Sequence, residues 1–195
     1  MSLIAEFVRH PMEVGAVAPS GPTLAGLAVA PIPRTGDPVV VELGPGTGAF
    51  TCAIQQRLGG RGRHIAVEIN DRLADRLAAR HPGVEVVTAD AVRLGDVLTE
   101  RGLDRADVIV SGLPWAVFPE DRQHDILEAA VNALAPGGAF TTFAYVHFRW
   151  SAPARRLHRS LNGWFDEVVP GRTVWANLPP ALVYYCRRPV SNPLT

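Results

Sequence analysis

The stretch VVVELGPGTGAF, residues 39–50, decides how the rest of the chain is read. Its first half is a β-branched apolar run holding one acid, Glu42. Its second half places Gly44, Gly46 and Gly48 at alternate positions. A nearly continuous apolar run suits a strand covered on both faces. Glycines directly after it let the chain turn sharply and let a ligand approach the backbone with no Cβ in the way. A helix predicted to open near residue 48 then offers N–H donors at its start. In open α/β sheets, ligands bind outside the carboxyl ends of the strands, at the point where strand order reverses.

Working outward, strand-like runs recur at 38–43, 64–68, 84–88, 107–111 and 139–146, with helical patterns near 48–59, 71–80, 91–101 and 120–135. The last helix opens at Pro119-Glu120-Asp121 and closes at Pro136-Gly137-Gly138, sensible start and stop signals. This alternation predicts a doubly wound α/β domain with helices on both faces of a mostly parallel seven-stranded sheet. Beyond residue 147 a basic helix or loop precedes two further strands, DEVVPGRTVW (166–175) and ALVYYCRR (181–188), read as an antiparallel pair ending the sheet. One domain is expected over 1–195: a helical cover (1–37, with a helix near 20–29), a cofactor-binding core (38–147), and a basic segment with the terminal strand pair (148–195).

Composition narrows the class. With 47% hydrophobic residues the chain is globular. No apolar run approaches ~18 residues and the N-terminus lacks a signal-peptide layout, so a cytoplasmic protein is expected. Cys52 and Cys186 match no metal spacing and read as two buried, unpaired thiols in a reducing compartment; no metal is expected. Net charge is zero but uneven: 12 arginines face 17 acids in residues 1–144, and seven face two in residues 145–195. Neutral balance and the absence of lysine argue against nucleic acid as a partner.

Two cofactors compete for the glycine loop. Gly44-x-Gly46-x-x-Ala49 satisfies a relaxed dinucleotide fingerprint. Glu42 tips the balance, because a carboxylate inside an apolar strand is costly unless paired or bonded. It would repel a pyrophosphate and favour a cationic amine or sulfonium, so the layout points to S-adenosylmethionine. Glu68, 24 residues after Gly44, ends the second strand and can accept from both ribose hydroxyls. Asp90 follows the third strand, where its carboxylate or adjacent N–H groups can meet an adenine edge. The blander reading of both acids is as helix N-caps. The fourth strand, in DVIVSGLPWAVFPED (107–121), breaks at Ser111-Gly112-Leu113-Pro114-Trp115 and puts a large aromatic on a turn.

Together, Glu42–Gly48, Glu68, Asp90 and Ser111–Trp115 resemble the motifs of class I S-adenosylmethionine-dependent methyltransferases. Over most of its length the chain is similar to the bacterial phospholipid N-methyltransferases, through HPMEVGAVAPSGPTLA (10–25), VVELGPGTGAFT (40–51), VSGLPWAVFP (110–119) and GRTVWANLPPALVY (171–184). The resemblance implies a Rossmann-like methyltransferase fold. It implies that the cofactor is held by Ser20, Glu42, Gly44, Gly46, Thr47, Gly48, Glu68, Ile69, Asp90, Ala91 and Ser111. It implies methyl transfer to the amine of phosphatidylethanolamine or a related lipid, with Ser111, Leu113, Trp115 and Tyr145 on the acceptor side.

In this reading Pro114 stiffens the turn. Trp115 and Phe118 form an apolar wall able to hold a quaternary ammonium product. Tyr145, His124 and His147 are the candidate proton acceptors. The bland alternative makes Trp115 a core residue. Peripheral contact with the inner membrane surface would fall to Arg149–Arg159, with Trp150, Leu157, Leu161 and Trp164, because the N-terminal SLIAEFVRH carries only one Arg and one Glu. Three other functions stay open: methylation of a soluble small molecule, adenine N6-methylation of ribosomal RNA, and non-catalytic cofactor binding. Ribosomal RNA enzymes of that kind carry Asn where this turn has Ser111, and they add a basic RNA-binding domain.

Overall fold

The computed structural model describes residues 21–148 and 152–190. β1 (Val39–Leu43) pairs in parallel with β2 (Arg63–Glu68) on one side and β4 (Ala106–Ser111) on the other. With β3 (Glu85–Thr88), β5 (Leu134–Tyr145), β6 (Phe165–Pro170) and β7 (Ala181–Pro189), they form one seven-stranded sheet of order β3-β2-β1-β4-β5-β7-β6. β7 is antiparallel to both neighbours. Strand order reverses between β1 and β4, so the carboxyl ends of those two strands flank the switch point.

Six α-helices cover the sheet among the described residues: α1 (Pro22–Ala28), α2 (Ala49–Leu58), α3 (Asp71–Arg80), α4 (Leu94–Thr99), α5 (Glu120–Ala133) and α6 (Ala152–Trp164). Side chains alternate across each strand. Val41, Leu43 and Ile109 therefore pack with Leu94, Ile126, Leu127, Leu157 and Leu161 of α4, α5 and α6. Val40, Val108 and Val110 pack with Leu24, Ile54 and Leu58 of α1 and α2. Strands buried on both faces are why their sequences read as unbroken apolar runs.

Three boundaries differ from expectation. The helix expected over 91–101 is a 3-10 turn, Ala91–Arg93, followed by α4. The strand expected over 166–175 ends at Pro170, and after one further bond, Gly171 N to Val183 O (2.7 Å), the chain leaves the ladder. Trp175 consequently lies on a loop. Pro136-Gly137-Gly138 does not follow α5 as a simple stop. The register jumps there from Ala106–Leu134 to Val108–Ala139, a bulge within β5. A Cβ on Gly138 would come 3.0 Å from the carbonyl oxygens of Ala135 and Asp107. Ser20, Arg149 and Trp150, with the N-terminal helix, lie outside the described residues. No helix among the described residues is long and apolar enough to cross a membrane.

Candidate active site

The glycine loop leaves β1 at the centre of the sheet, with Gly44 N donating to Val67 O (2.9 Å) and Gly48 serving as the N-cap of α2. Two of its glycines do different jobs. Gly44 has φ +68, and a Cβ there would come 2.7 Å from Leu113 Cδ2, so the turn after β4 lies directly on this loop. Gly46 has φ +53 and nothing within 4 Å of where a Cβ would stand. It faces open space, as close approach of a ligand requires. Thr47 beside it is exposed.

Glu42 is fully buried beneath the first turn of α2. Its Oε2 accepts from Thr51 Oγ1 (2.7 Å) and from His64 Nε2 (3.1 Å), while Gln55 Nε2 lies 2.9 Å from His64 Nδ1. With Gln55 donating to Nδ1, the imidazole carries its proton on Nε2 and hands it toward the carboxylate. Among the described residues Glu42 Oε1 has no hydrogen-bond partner. An orphaned buried acceptor costs free energy, and a cationic group at the loop would relieve it.

Glu68 is also buried. Its Oε2 accepts from Gly46 N (3.1 Å) and its Oε1 from Asn70 N (3.0 Å), so it ties the first loop to the second. Desolvation pushes its pKa above the ordinary carboxylate value in spite of those bonds. It is not the cap of α3. That role belongs to Asn70, whose side chain accepts from Leu73 N (3.1 Å). Ile69 between them is 48% exposed, an apolar side chain held open at the strand end.

Asp90 does act as a cap. It accepts from Val92 N (3.1 Å) ahead of the buried Ala91 and pairs with Arg122 Nη2 of α5 at 2.5 Å. Both contacts fall on Oδ1, so one oxygen of the carboxylate is engaged.

The turn after β4 is fastened from three sides. Ser111 Oγ accepts from Trp115 Nε1 (3.0 Å), both residues being buried. Gln123 of α5, fully buried, donates to Trp115 O (2.7 Å). Gly112 N donates to Leu43 O (2.8 Å), which locks the turn to β1. The Trp115 ring meets Phe118 and Phe140 edge-on at 6.1 and 6.2 Å. The core reading of Trp115 thus holds for its indole. The Ser111 hydroxyl is turned inward, onto that indole, rather than toward an acceptor.

Outside this turn lies an apolar pocket lined by Leu113, Pro114, Trp115, Phe143, Tyr145 and Leu157, among others. The Tyr145 ring packs against Phe143 at 5.3 Å and lies 5.9 Å from His147. Burial pushes the Tyr145 hydroxyl up to about 12, so at neutral pH it stays protonated. In that state its hydroxyl is a hydrogen-bonding group at the pocket wall. His124 packs tilted against Trp164 at 5.2 Å, between α5 and α6, and does not line the pocket.

The carboxyl ends of β1 to β5 therefore share one edge. The sequence reading missed Thr51, His64 and Gln55 around Glu42, Arg122 on Asp90, and Gln123 under the turn. Gln123 left a faint signal, being an amide in helical phase with Ile126, Leu127 and Ala130.

A sheet of this order, with a glycine loop and two buried acids at its switch point, defines a Rossmann-like nucleotide-cofactor enzyme. Residues 40–138 match the methyltransferase domain family. The ornithine lipid N-methyltransferase of Singulisphaera acidiphila is 35% identical over 189 residues, covering 94% of this chain and 93% of that protein. The ribosomal RNA small subunit methyltransferase A of a Burkholderia species is 35% identical over 128 residues, 57% of this chain and 45% of its own.

Among solved structures, spermidine synthase with the transition-state analogue AdoDATO has a TM-score of 0.69 at 14% identity, covering 87% of this chain and 61% of that one. The CurJ carbon methyltransferase has a TM-score of 0.64 at 15% identity, covering 96% and 58%. These two show the fold alone. The chain belongs to the class I S-adenosylmethionine-dependent methyltransferases, and within them it resembles the lipid N-methyltransferases.

Proposed function

We propose that this methyltransferase N-methylates the amine of an aminolipid, phosphatidylethanolamine or a related lipid. One observation carries the reading. The apolar pocket opens against Leu113, the same side chain that rests on Gly44 of the cofactor loop. An acceptor in that pocket is thereby adjacent to the cofactor. The relative that methylates ornithine lipid matches nearly the whole chain, which supports the lipid class.

Bound at the glycine loop, S-adenosylmethionine supplies an electrophilic methyl on a sulfonium. The residues present fit such a ligand. Gly46 leaves room for it, Glu42 Oε1 is an unspent acceptor below the loop, and Ile69 offers an exposed apolar face for a base. Glu68 holds the ribose. Its two oxygens each take one backbone N–H and keep lone pairs for hydroxyl donors.

The protein's remaining task is to present a neutral amine in line and exclude water. Leu113, Pro114 and Phe143 wall the pocket, and the protonated Tyr145 hydroxyl accepts an N–H from the amine through its oxygen. Ser111 and Gln123 are positioning residues: they hold the turn's shape through Trp115. Incubating the purified chain with isotopically labelled S-adenosylmethionine and a bacterial lipid extract tests the proposal. Label should enter aminolipids; label entering only water-soluble amines would make a soluble metabolite the acceptor.

A further inference from the structure

The segment between β6 and β7, residues 171–180, takes no part in the cofactor loop or the pocket, yet it shows two large apolar side chains to solvent. Trp175 is 74% exposed and Leu178 is 77% exposed. The loop carrying them is fastened. Val174 is buried and its N donates to Ala181 O (2.7 Å). Asn177 is 3% exposed, accepts from Gly21 N (2.8 Å) and donates to Pro179 O (2.7 Å). Pro180 O accepts from Val146 N (2.9 Å) just beyond β5. Val174 and Asn177 thus point in, and Trp175 and Leu178, each one residue later, point out. Packing among the described residues does not explain an indole exposed by a built loop.

Topology places this loop. β7 runs antiparallel to β5 with Ala181 opposite Tyr145, so the segment emerges at the same sheet edge as the acceptor pocket. Its charge is one-signed: within 171–180 Arg172 is exposed and there is no acid. Arg155 and Arg159 are exposed on α6, the helix whose Leu157 lines the pocket. An indole at headgroup depth, an aliphatic side chain beside it and flanking arginines suit the boundary of an anionic bilayer.

We infer that residues 171–180 form an interfacial anchor, in which Trp175 and Leu178 enter the headgroup–acyl boundary of a bilayer carrying anionic lipid and set the pocket's mouth against it. The purpose of the anchor rests on the aminolipid reading; its existence does not. The test uses the full chain and vesicles of phosphatidylethanolamine with phosphatidylglycerol, comparing wild type with a Trp175→Ser, Leu178→Ser double variant. Both side chains face solvent, so melting temperature and cofactor affinity should not change.

Vesicle affinity should fall by about tenfold or more, and quenching of tryptophan fluorescence by brominated lipid should largely vanish. Methylation of lipid in vesicles should fall in step, while lipid dispersed in detergent micelles is methylated at the wild-type rate. Equal vesicle binding by both proteins would overturn the anchor, as would a wild type that ignores vesicles. A wild-type dimer that the double variant dissolves would also overturn it, making this a self-association face. If vesicle binding is lost but wild type methylates no lipid in either form, the anchor stands and the aminolipid reading falls.

Discussion

The indole N–H of Trp115 donates to Ser111 Oγ across 3.0 Å, with both residues almost entirely shut from solvent. The contact makes the turn after β4 a fixed object rather than a flexible connector. Ser111→Ala would leave a buried N–H unmet, at a cost of about 1–3 kcal/mol. Methyl transfer should slow by about tenfold as the turn loosens, with cofactor affinity changed by less than about threefold. Ser111→Thr should restore both. A Ser111→Ala protein that melts earlier but turns over normally would limit the bond to stability.

Trp115→Ala cannot probe the pocket wall in isolation, because truncating a buried aromatic costs about 3–5 kcal/mol. Trp115→Phe keeps a ring against Phe118 and Phe140 while removing the donor and part of the indole's volume, a smaller packing loss than Trp115→Ala. It should reproduce the slower transfer of Ser111→Ala without the larger packing loss of Trp115→Ala. Rapid-quench measurement of a single turnover would separate the two effects.

Gly46→Val should abolish cofactor binding while the fold survives. None of the described residues comes within 4 Å of a Cβ on Gly46, so the new side chain fills the ligand's approach rather than the core. A β-branched residue at φ +53 adds strain of about 1–3 kcal/mol. Titration calorimetry with unchanged affinity would move the cofactor elsewhere.

Much of this edge was legible beforehand because glycine spacing and strand ends are local signals. Glu42, Glu68, Asp90 and the Ser111–Trp115 turn could be placed at the carboxyl ends of β1 to β4 from alternation alone. What the side chains do there was not legible. Glu42 turns under α2 onto Thr51 and His64, and Asp90 meets Arg122 from α5, 32 residues away. Such pairings depend on how distant elements stack, and no period or motif encodes them. β6 ends at Pro170, short of the expected 175, and that leaves Trp175 on a loop.

Glu68 gives a pH test with two opposite signs. Burial raises its pKa, so the folded state holds this proton more tightly than the unfolded chain does. The stability it contributes is full below the unfolded value and is lost as pH rises through the folded one. Relative to Glu68→Gln, wild type should therefore gain melting temperature as pH falls from neutral toward the carboxylate range. Cofactor affinity should fall over the same window, as the charged acceptor is lost. Glu68→Ala should cost affinity by about one to two decades at neutral pH. Parallel pH profiles for the wild type and Glu68→Gln would remove Glu68 from the site.

The arginines of α6 should act as a surface charge. Arg155 and Arg159 are exposed, whereas Arg156 is half-buried with Nη1 3.9 Å from Glu120 Oε2. Replacing Arg155 and Arg159 by Gln should weaken binding to anionic vesicles, with affinity falling further as salt is added. Cosedimentation across a salt series reads this directly; binding that ignores both salt and the substitutions would confine membrane contact to the apolar loop.

The central claim is methyl transfer from S-adenosylmethionine to a lipid amine. Mass spectrometry of phosphatidylethanolamine and of an ornithine-headgroup lipid, each incubated with the pure chain and S-adenosylmethionine, tests it most directly. At least one of these lipids should gain the mass of one methylene per transfer, and Gly46→Val should abolish the product. No methylated lipid from an enzyme that binds the cofactor and methylates a soluble amine would contradict it.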